Sequence, residues 1–370
     1  MSLKDVLCQD RAAEAFGQAM KSGRLGHAYI FAGDDGVGRY LMARQWAKAL
    51  LCEQPLSDPV GGSYDSCGKC RSCTLFENDN HPDFKHIYKE LLEFTKDPAN
   101  RKKSPNQMSI DVIREFLVDV AASRPQMAKR AVYVISEAEK MGAGAQNAML
   151  KTLEEPPGYC VIILLCTRTD MLLPTILSRC QVVRFGPVDE QVIVERLAEA
   201  GYTEAASRFW SRFTGGSLGL SSVYASLSKE CDCYKIKCEL VDKLVSLKLA
   251  DCIDAAEWMV EQNTAIGEAL ADKFAEVSKA DLKRRAQKMM LKMFLVLICD
   301  VMRVSLSHTG GLVNADQINA VNSLCGQLDI DDAAKFVEKV NKNMLWVDAY
   351  VNEKLIFEEI LLHFAKLKCI

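Results

Sequence analysis

The chain has 370 residues, 49% of them hydrophobic and 26% charged, which is typical of a soluble globular protein with two or three domains. Its net charge of −3 argues against a globally basic nucleic-acid binder, so any contact with DNA is expected to be local or made through partners. No apolar run reaches the length of about 18 residues that spans a bilayer, and the charged start, MSLKDVLCQDRAAEAF, is unlike a secretory signal. We therefore expect a cytoplasmic protein without a membrane partner.

The first 185 residues predict an alternation of strands and helices. Short apolar runs predict five strands, at residues 27–33, 84–88, 131–136, 161–166 and 181–185. Helical spacing of apolar residues predicts three helices, at residues 39–51, 110–122 and 143–155. Strands that alternate with helices indicate a parallel sheet covered on both faces, and such a sheet binds ligands beyond the carboxyl ends of its strands.

After Pro187 the pattern is helical without strands. A small helical domain is expected over residues 188–226, followed by long amphipathic helices over residues 227–370. The clearest of these helices has one broad apolar face, formed by Leu282, Met289, Met290, Met293, Phe294 and Leu297. The polar segment at residues 95–107 is predicted to be a loop whose basic side chains are solvated.

The segment GDDGVGRY, which begins at Gly33, leads from the first predicted strand into the first predicted helix. A phosphate-binding P-loop has the pattern G-x-x-x-x-G-K-[ST], and Gly33 and Gly38 occupy its two glycine positions, with Gly36 between them. Arg39 stands where a lysine reaches the phosphates, and Tyr40 stands where a hydroxyl binds Mg²⁺. Because a planar guanidinium does not simply replace an ammonium, the segment predicts a P-loop fold that does not bind nucleotide productively.

A second departure from nucleotide chemistry follows the strand at residues 131–136. Such a strand normally ends in an Asp that binds Mg²⁺ and a Glu that polarises the attacking water. Here Ser136 stands at the Asp position, while Glu137 remains. Without a metal-binding neighbour, Glu137 is interpreted as a solvated carboxylate at the end of the strand.

Four clustered cysteines predict a metal site. Cys52 precedes the segment SCGKCRSC, which contains Cys67, Cys70 and Cys73. Two overlapping C-x-x-C steps and one upstream cysteine offer four thiolates, the number that a closed tetrahedral zinc site needs, and a closed site is structural. A redox C-x-x-C pair is the competing interpretation, and three evenly spaced cysteines on a polar loop suit a metal better.

The remaining cysteines and the nearby histidines are not predicted to bind a metal. The total of fifteen cysteines is odd, which favours a reduced cytosol with one metal site over a framework of disulfides. Five cysteines in apolar segments are interpreted as small buried hydrophobic residues, namely Cys160, Cys166, Cys180, Cys299 and Cys369. His81 and His86 lie outside the four-cysteine set and are interpreted as surface or packing residues.

Two blocks together resemble a known family. AQNAMLKTLEEPP, at residues 145–157, followed by LPTILSRCQ, at residues 173–181, resembles bacterial clamp-loader subunits of the AAA+ superfamily. HAYIFAGDDGVGR, IDVIREF and VNEKLIFEEILL are similar, more narrowly, to the delta-prime family of DNA polymerase III subunits. The resemblance covers the whole chain in the same order, and its strongest motifs lie between residues 27 and 185.

The resemblance implies three domains. The first is an α/β P-loop NTPase-like (AAA+) parallel-sheet domain over residues 1–187, with a zinc insertion at about residues 52–73. The second is a small helical lid domain over residues 188–226. The third is an all-α collar domain over residues 227–370, through which subunits of a ring associate.

The resemblance also implies a role for Arg179, in the tripeptide Ser178-Arg179-Cys180. In clamp loaders this arginine reaches from one subunit into the ATP site of its neighbour, where it stabilises charge on the transferring phosphoryl group. The alternative is an ordinary arginine in a salt bridge. ATP-using relatives often place a second sensing arginine near residues 216–220, and none is present here, whereas Thr167 and Thr169 remain in the first sensor region.

The expected function is therefore that of a clamp-loader subunit that assists catalysis elsewhere. Its expected partners are gamma/tau-like motor subunits and delta-like subunits, with the sliding clamp and primed DNA reached through the assembly. It is expected to have no intrinsic catalysis, to use no ATP or Mg²⁺ productively, and to belong to a DNA-directed DNA polymerase holoenzyme.

Two other functions remain open. One is an ATP-hydrolysing gamma/tau-like motor subunit, against which Arg39, Tyr40 and Ser136 argue. The other is a zinc-dependent DNA-binding protein, against which the near-neutral charge argues. The cluster KRR at residues 283–285, with Lys288, is the best candidate for a DNA contact, although a solvated helix face is the favoured interpretation.

Overall fold

A computed structural model describes residues 3–57, 64–100, 107–227, 231–274 and 277–368. The chain divides into two compact units, Met1–Val188 and Asp189–Ile370. The first unit ends one residue beyond the predicted end of the α/β domain. The second unit contains both predicted helical domains, and their separation near residue 226 stays a prediction.

The first unit is built on a five-stranded parallel sheet with the spatial order β4-β5-β6-β1-β7. Its strands are β1 (Ala28–Ala32), β4 (Phe84–Ile87), β5 (Ala131–Ile135), β6 (Cys160–Cys166) and β7 (Gln181–Arg184). Strands β1, β5 and β6 are buried along their whole length, as continuous apolar runs in a parallel sheet require. The predicted parallel sheet and its five strands are confirmed. A short antiparallel pair, β2 (Leu56–Ser57) and β3 (Tyr64–Asp65), was not predicted.

Helices cover both faces of this sheet. They are α1 (Asp10–Ser22), α2 (Arg39–Leu51), α3 (Arg71–Glu77), α4 (Ile110–Ile113), α5 (Asp119–Ala121), α6 (Ala143–Glu154) and α7 (Pro174–Leu177). The predicted helix at residues 110–122 is present, but a π-helical turn at Arg114–Val118 separates α4 from α5. Short 3-10 turns occupy Leu3–Asp5, Lys89–Phe94, Pro98–Asn100, Ala138–Lys140 and Thr169–Met171.

The two faces of the sheet carry separate cores. On one face, α4, α5 and α6 pack on the side chains of Ile30, Tyr133 and Ile162. On the other face, α1 and α2 pack on the alternate side chains of the same strands. Each buried strand therefore contributes to both cores, which ties the positions of all the strand ends to one another.

In the described residues of the second unit, all regular secondary structure is helical. Its helices are α8 (Glu190–Glu199), α9 (Glu204–Phe213), α10 (Leu218–Ser226), α11 (Cys233–Ser246), α12 (Cys252–Lys273), α13 (Lys279–Ser305), α14 (Ile318–Cys325), α15 (Ile330–Asp348) and α16 (Glu353–Lys368). Helix α13 packs between α12 and α15, and the six residues of its predicted apolar face are all buried. Within the described part of the chain, no helix has both the length and the apolar character needed to cross a membrane.

Trp46 is expected to be the most costly single truncation in the first unit. Its indole is fully buried, stacks on Phe16 at 4.2 Å between ring centroids, and meets the edge of Tyr29 at 4.8 Å. Replacing Trp46 by Ala should lower the free energy of unfolding by about 3–5 kcal/mol, because it leaves a cavity that the sheet cannot close. The measurement is urea denaturation followed by circular dichroism. Trp258→Ala, at a half-buried position in the second unit, is the control and should cost less; an equal or larger loss there would contradict the expectation.

Candidate functional sites

The loop at residues 33–38 joins the carboxyl end of β1 to the start of α2. Gly36 and Gly38 have φ angles of 76° and 103°, a region that other residues rarely adopt. A Cβ atom on Gly33 would lie 2.6 Å from the carbonyl oxygen of Phe185, just after β7. The three glycines are thus explained by backbone conformation and by close packing, in a strand–loop–helix of the P-loop type.

Arg39 is held by its own loop. Its side chain is only 8% exposed, its Nη2 lies 2.5 Å from the carboxylate of Asp35, and its Nε donates a hydrogen bond to the carbonyl oxygen of Asp34 at 3.2 Å. A lysine in a working P-loop instead extends toward the phosphates. A phosphate approaching this loop would meet a guanidinium that Asp35 already neutralises.

The two positions that normally bind Mg²⁺ both contact His86. Tyr40, in the first turn of α2, packs its ring against the imidazole with 4.7 Å between centroids. Ser136, directly after β5, places its Oγ 2.8 Å from Nε2 of the same imidazole. His86 reaches this point from β4, which pairs with β5 in the register His86–Val134. Burial is the main cause, and the charge of Arg44 a smaller one, that together lower the pKa of His86 to about 4, so the ring is neutral at neutral pH.

Glu137 is ion-paired, so its interpretation as a simply solvated carboxylate is corrected. One oxygen lies 2.5 Å from Nζ of Lys140 and the other 3.5 Å from Nζ of Lys89. Lys89 is 2% exposed and lies 3.8 Å from Glu90 as well. A buried ammonium is stable only when it is paired, so Lys89 constrains Glu137 strongly. The backbone of Glu137 has a φ of 51°, a left-handed conformation that a non-glycine residue adopts at some cost.

The two sensor regions have local structural roles in the described residues. Thr167, just after β6, donates a hydrogen bond from its hydroxyl to Glu139. Thr169 begins a short 3-10 turn. In the second unit, Ser217 caps α10 by accepting a hydrogen bond from the backbone N–H of Leu220.

The four predicted zinc ligands lie together. All sulfur atoms of Cys52, Cys67, Cys70 and Cys73 lie within 4.8 Å of one another, with Cys52 3.8 Å from Cys70 and Cys67 4.0 Å from Cys73. Zn–S bonds of about 2.3 Å in a tetrahedron place the sulfurs about 3.8 Å apart. The donor set and its spacing therefore fit a four-coordinate zinc ion without large movement.

Backbone groups around the cysteines favour the thiolate form. The N–H groups of Lys69 and Cys70 point at the sulfur of Cys67 and lower its pKa to about 6. Burial instead raises the pKa values of Cys52 and Cys73, and a bound cation would offset that penalty. His81 is buried and its Nε2 lies 2.8 Å from the hydroxyl of Ser72, so of the two interpretations, surface or packing residue, it is a packing residue.

Arg179 lies on the turn between α7 and β7, and β7 is an edge strand. Its Nη2 lies 2.7 Å from the carboxylate of Glu154, the last residue of α6, and its Nη1 donates to the carbonyl oxygen of Thr175 at 2.9 Å. The side chain is 33% exposed. Within its own chain Arg179 therefore has the salt bridge that the sequence left open as an alternative to a role in a neighbouring subunit.

The four cations of the candidate DNA contact on α13 are all ion-paired within the second unit. Lys283 pairs with Glu353, Lys288 pairs with Asp348, and both Arg284 and Arg285 pair with Asp281. A cation that is already paired offers less to a phosphate backbone, which supports the interpretation of this cluster as a surface helix face. The basic residues at 101–103 of the predicted loop lie outside the described residues.

The other cysteines behave largely as expected. Cys160 and Cys166 are buried in β6, whereas Cys180 and Cys299 are half-buried. Cys369 lies outside the described residues. Burial raises the pKa values of Cys160, Cys166 and Cys180 to about 12, so these thiols are protonated at neutral pH.

Comparison with known proteins identifies relatives for both units. A family model described as "DNA polymerase III, delta subunit" matches residues 8–189, and one described as "DNA polymerase III, delta subunit, C terminal" matches residues 270–366. The delta' subunit of DNA polymerase III from Pseudomonas aeruginosa is 35% identical over 154 residues, which are 42% of this chain and 41% of that protein. The tau/gamma subunit from Haemophilus influenzae is 36% identical over 194 residues, which are 52% of this chain and 25% of that protein.

A solved structure of a DNA polymerase III gamma-subunit-related protein from Thermotoga maritima aligns with 95% of this chain and 99% of its own, with 16% identity and a TM-score of 0.41. The chain spans less than half the length of the two curated relatives above.

These observations define the class of protein. A parallel α/β domain with a strand–loop–helix of the P-loop type is followed by a helical unit, and the two family matches together cover more than half of the chain. The chain therefore belongs to the DNA polymerase III delta-subunit family of clamp-loader proteins.

The cysteine cluster should bind one zinc ion per chain. Replacing Cys70 by Ser should abolish zinc binding and make the segment between α2 and β4 sensitive to protease, because a three-thiolate set no longer closes the tetrahedron. The measurements are elemental analysis of protein purified without chelator, and limited proteolysis. Cys299→Ser, outside the cluster, is the matched control and should retain the metal. Wild-type protein without zinc would refute the assignment.

Proposed function

We propose that this chain is a delta-prime-type clamp-loader subunit of a bacterial replicative DNA polymerase III. It does not hydrolyse ATP itself, supplies Arg179 as an arginine finger to the ATP site of a neighbouring motor subunit, and helps to load the sliding clamp on primed DNA. Its zinc ion is structural, its partners are gamma/tau-like and delta-like subunits, and its location is the cytoplasm.

The observation that carries the proposal is that the residues at the catalytic positions, at one edge of the sheet, are bound by neighbouring side chains of the same chain. Arg39 is paired with Asp35, Ser136 is bonded to His86, and Glu137 is paired with two lysines. None of these groups is available to bind Mg²⁺ or to orient a water molecule. A residue of this domain that still serves ATP chemistry must therefore serve a site on another chain.

Arg179 has the chemistry for that role. Its guanidinium is a permanently charged planar fork suited to phosphate oxygens, and it is partly exposed on a turn beside an edge strand. Its salt bridge to Glu154 is partly exposed on both sides, so exchanging that carboxylate for a neighbour's phosphate costs little. A neighbouring motor subunit is supported as the partner by the relatives of this chain, which are named as subunits of DNA polymerase III.

A motor of the gamma/tau type would behave differently. Such a chain would hydrolyse ATP alone, and its turnover would depend on its own P-loop. The purified chain is expected to show no turnover above background, because the groups that act on phosphate and Mg²⁺ are replaced or already paired. Steady hydrolysis that a Gly38→Val substitution abolishes would favour the motor function.

Replacing Arg179 by Ala should reduce ATP turnover in the reconstituted clamp loader without affecting folding or assembly. An arginine finger is worth about 10³-fold or more at its own site, and other sites in the ring dilute the observed loss. The measurement is ATPase activity coupled to clamp loading, after gel filtration has shown equal assembly.

The matched control is Glu154→Ala, which breaks the same salt bridge and leaves the guanidinium. This variant should stay within about twofold of wild type, because an exposed ion pair contributes roughly 0–1 kcal/mol. If both substitutions lowered ATP turnover equally, or if Arg179→Ala had no effect on it, Arg179 would have only a structural role.

The helical unit is proposed to hold the ring together through residues 227–370. Several large apolar side chains are exposed around the turn between α15 and α16, including Leu345, Tyr350 and Leu355. An exposed apolar group of this kind typically marks a protein contact. We expect the double substitution Leu345→Asp and Leu355→Asp to weaken assembly with the other subunits, as measured by gel filtration. Leu306→Asp, at a similarly exposed position after α13, is the control. Unchanged assembly of the double variant would argue against this surface.

A further inference from the structure

The carboxyl edge of the sheet should hold Mg²⁺ if the P-loop fold were used as in ATP-binding proteins. There the hydroxyl of the P-loop and the Asp after a neighbouring strand bind the ion from two sides. Mg²⁺ takes oxygen ligands at about 2.0–2.1 Å, so such ligand atoms lie only a few ångströms apart. In this chain those positions are Tyr40 and Ser136, and the imidazole of His86 contacts both.

The imidazole is also firmly held. His86 belongs to β4, whose pairing with β5 places its ring beside the end of that strand. Tyr88 packs on the same ring with 5.1 Å between centroids, so His86 lies in an aromatic cluster as well as a hydrogen bond. Its pKa of about 4 keeps it neutral and without a charge that would attract phosphate. A ring packed in this way does not swing aside without breaking several contacts.

We propose that His86 determines the exclusion of magnesium nucleotides, because its imidazole fills the place between positions 40 and 136 where the ion would bind. The side chains at positions 40, 86 and 136 do not form a ligand set for Mg²⁺. The obstacle is the imidazole itself as well as the loss of the motif residues. Restoring Lys, Thr and Asp at positions 39, 40 and 136 is therefore not enough to restore binding. This inference extends the proposed function. A negative result for His86 would leave the proposed role of Arg179 intact, because Arg179 would act on nucleotide bound to a different subunit.

The test compares two full-length chains. The first carries the restored motif alone, Arg39→Lys, Tyr40→Thr and Ser136→Asp. The second adds His86→Thr, since threonine is small and favours strands. Binding of a fluorescent ADP analogue is titrated with Mg²⁺ and with EDTA, after thermal melting has shown that both chains fold. The restored motif with Tyr88→Thr is the matched control, because it removes the ring next to His86 and keeps the imidazole.

The expected result is that only the His86→Thr chain gains nucleotide binding that is at least about tenfold tighter with Mg²⁺ than with EDTA. Binding of equal strength by the restored motif alone, or by its Tyr88→Thr version, would overturn the proposal. Failure of the folded His86→Thr chain to bind would overturn it too. If His86→Thr does not fold, the same comparison is made with His86→Asn, which is smaller than histidine and keeps a polar group beside position 136. Binding of magnesium nucleotide by the wild-type chain would overturn the inference directly.

Discussion

The parallel pairing of β4, β5, β6 and β1 is the constraint on which the first unit depends. Parallel strands end at the same edge of a sheet, so residues far apart in sequence meet where the strands stop. Burial on both faces leaves no freedom to shift one strand by a residue without exposing its apolar side chains. The pairing and burial of the strands thus bring together His86, Ser136 and the loop after β1.

At that edge, polar groups that could serve a nucleotide are satisfied by the protein itself. Arg39 has Asp35, Ser136 has His86, and Glu137 has Lys89. Each contact satisfies a buried or half-buried polar group, which then needs no partner from outside the protein. The edge of the sheet is therefore a structural element, which suits a subunit proposed not to hydrolyse ATP itself.

The cysteine cluster bears on the stability of the segment between α2 and β4. Among its described residues, the segment between α2 and β4 contains a two-stranded pair and the short helix α3, too little regular structure to bury a core of its own. Four converging thiols allow a metal to supply the missing cohesion. Ser72 and His81 connect this module to the end of α2 through the carbonyl oxygen of Leu51.

Local patterns in the sequence determined the strands, the P-loop turn, the four clustered cysteines and the loss of Lys, Ser/Thr and Asp from the nucleotide motifs, because spacing and residue type alone carry that information. Only the tertiary structure decided which side chains replaced them. Ser136 lies 50 residues from His86, and no periodicity links the two. Their contact exists because parallel pairing aligns the ends of β4 and β5, and the same long-range packing brings Lys89 to Glu137 and Glu154 to Arg179.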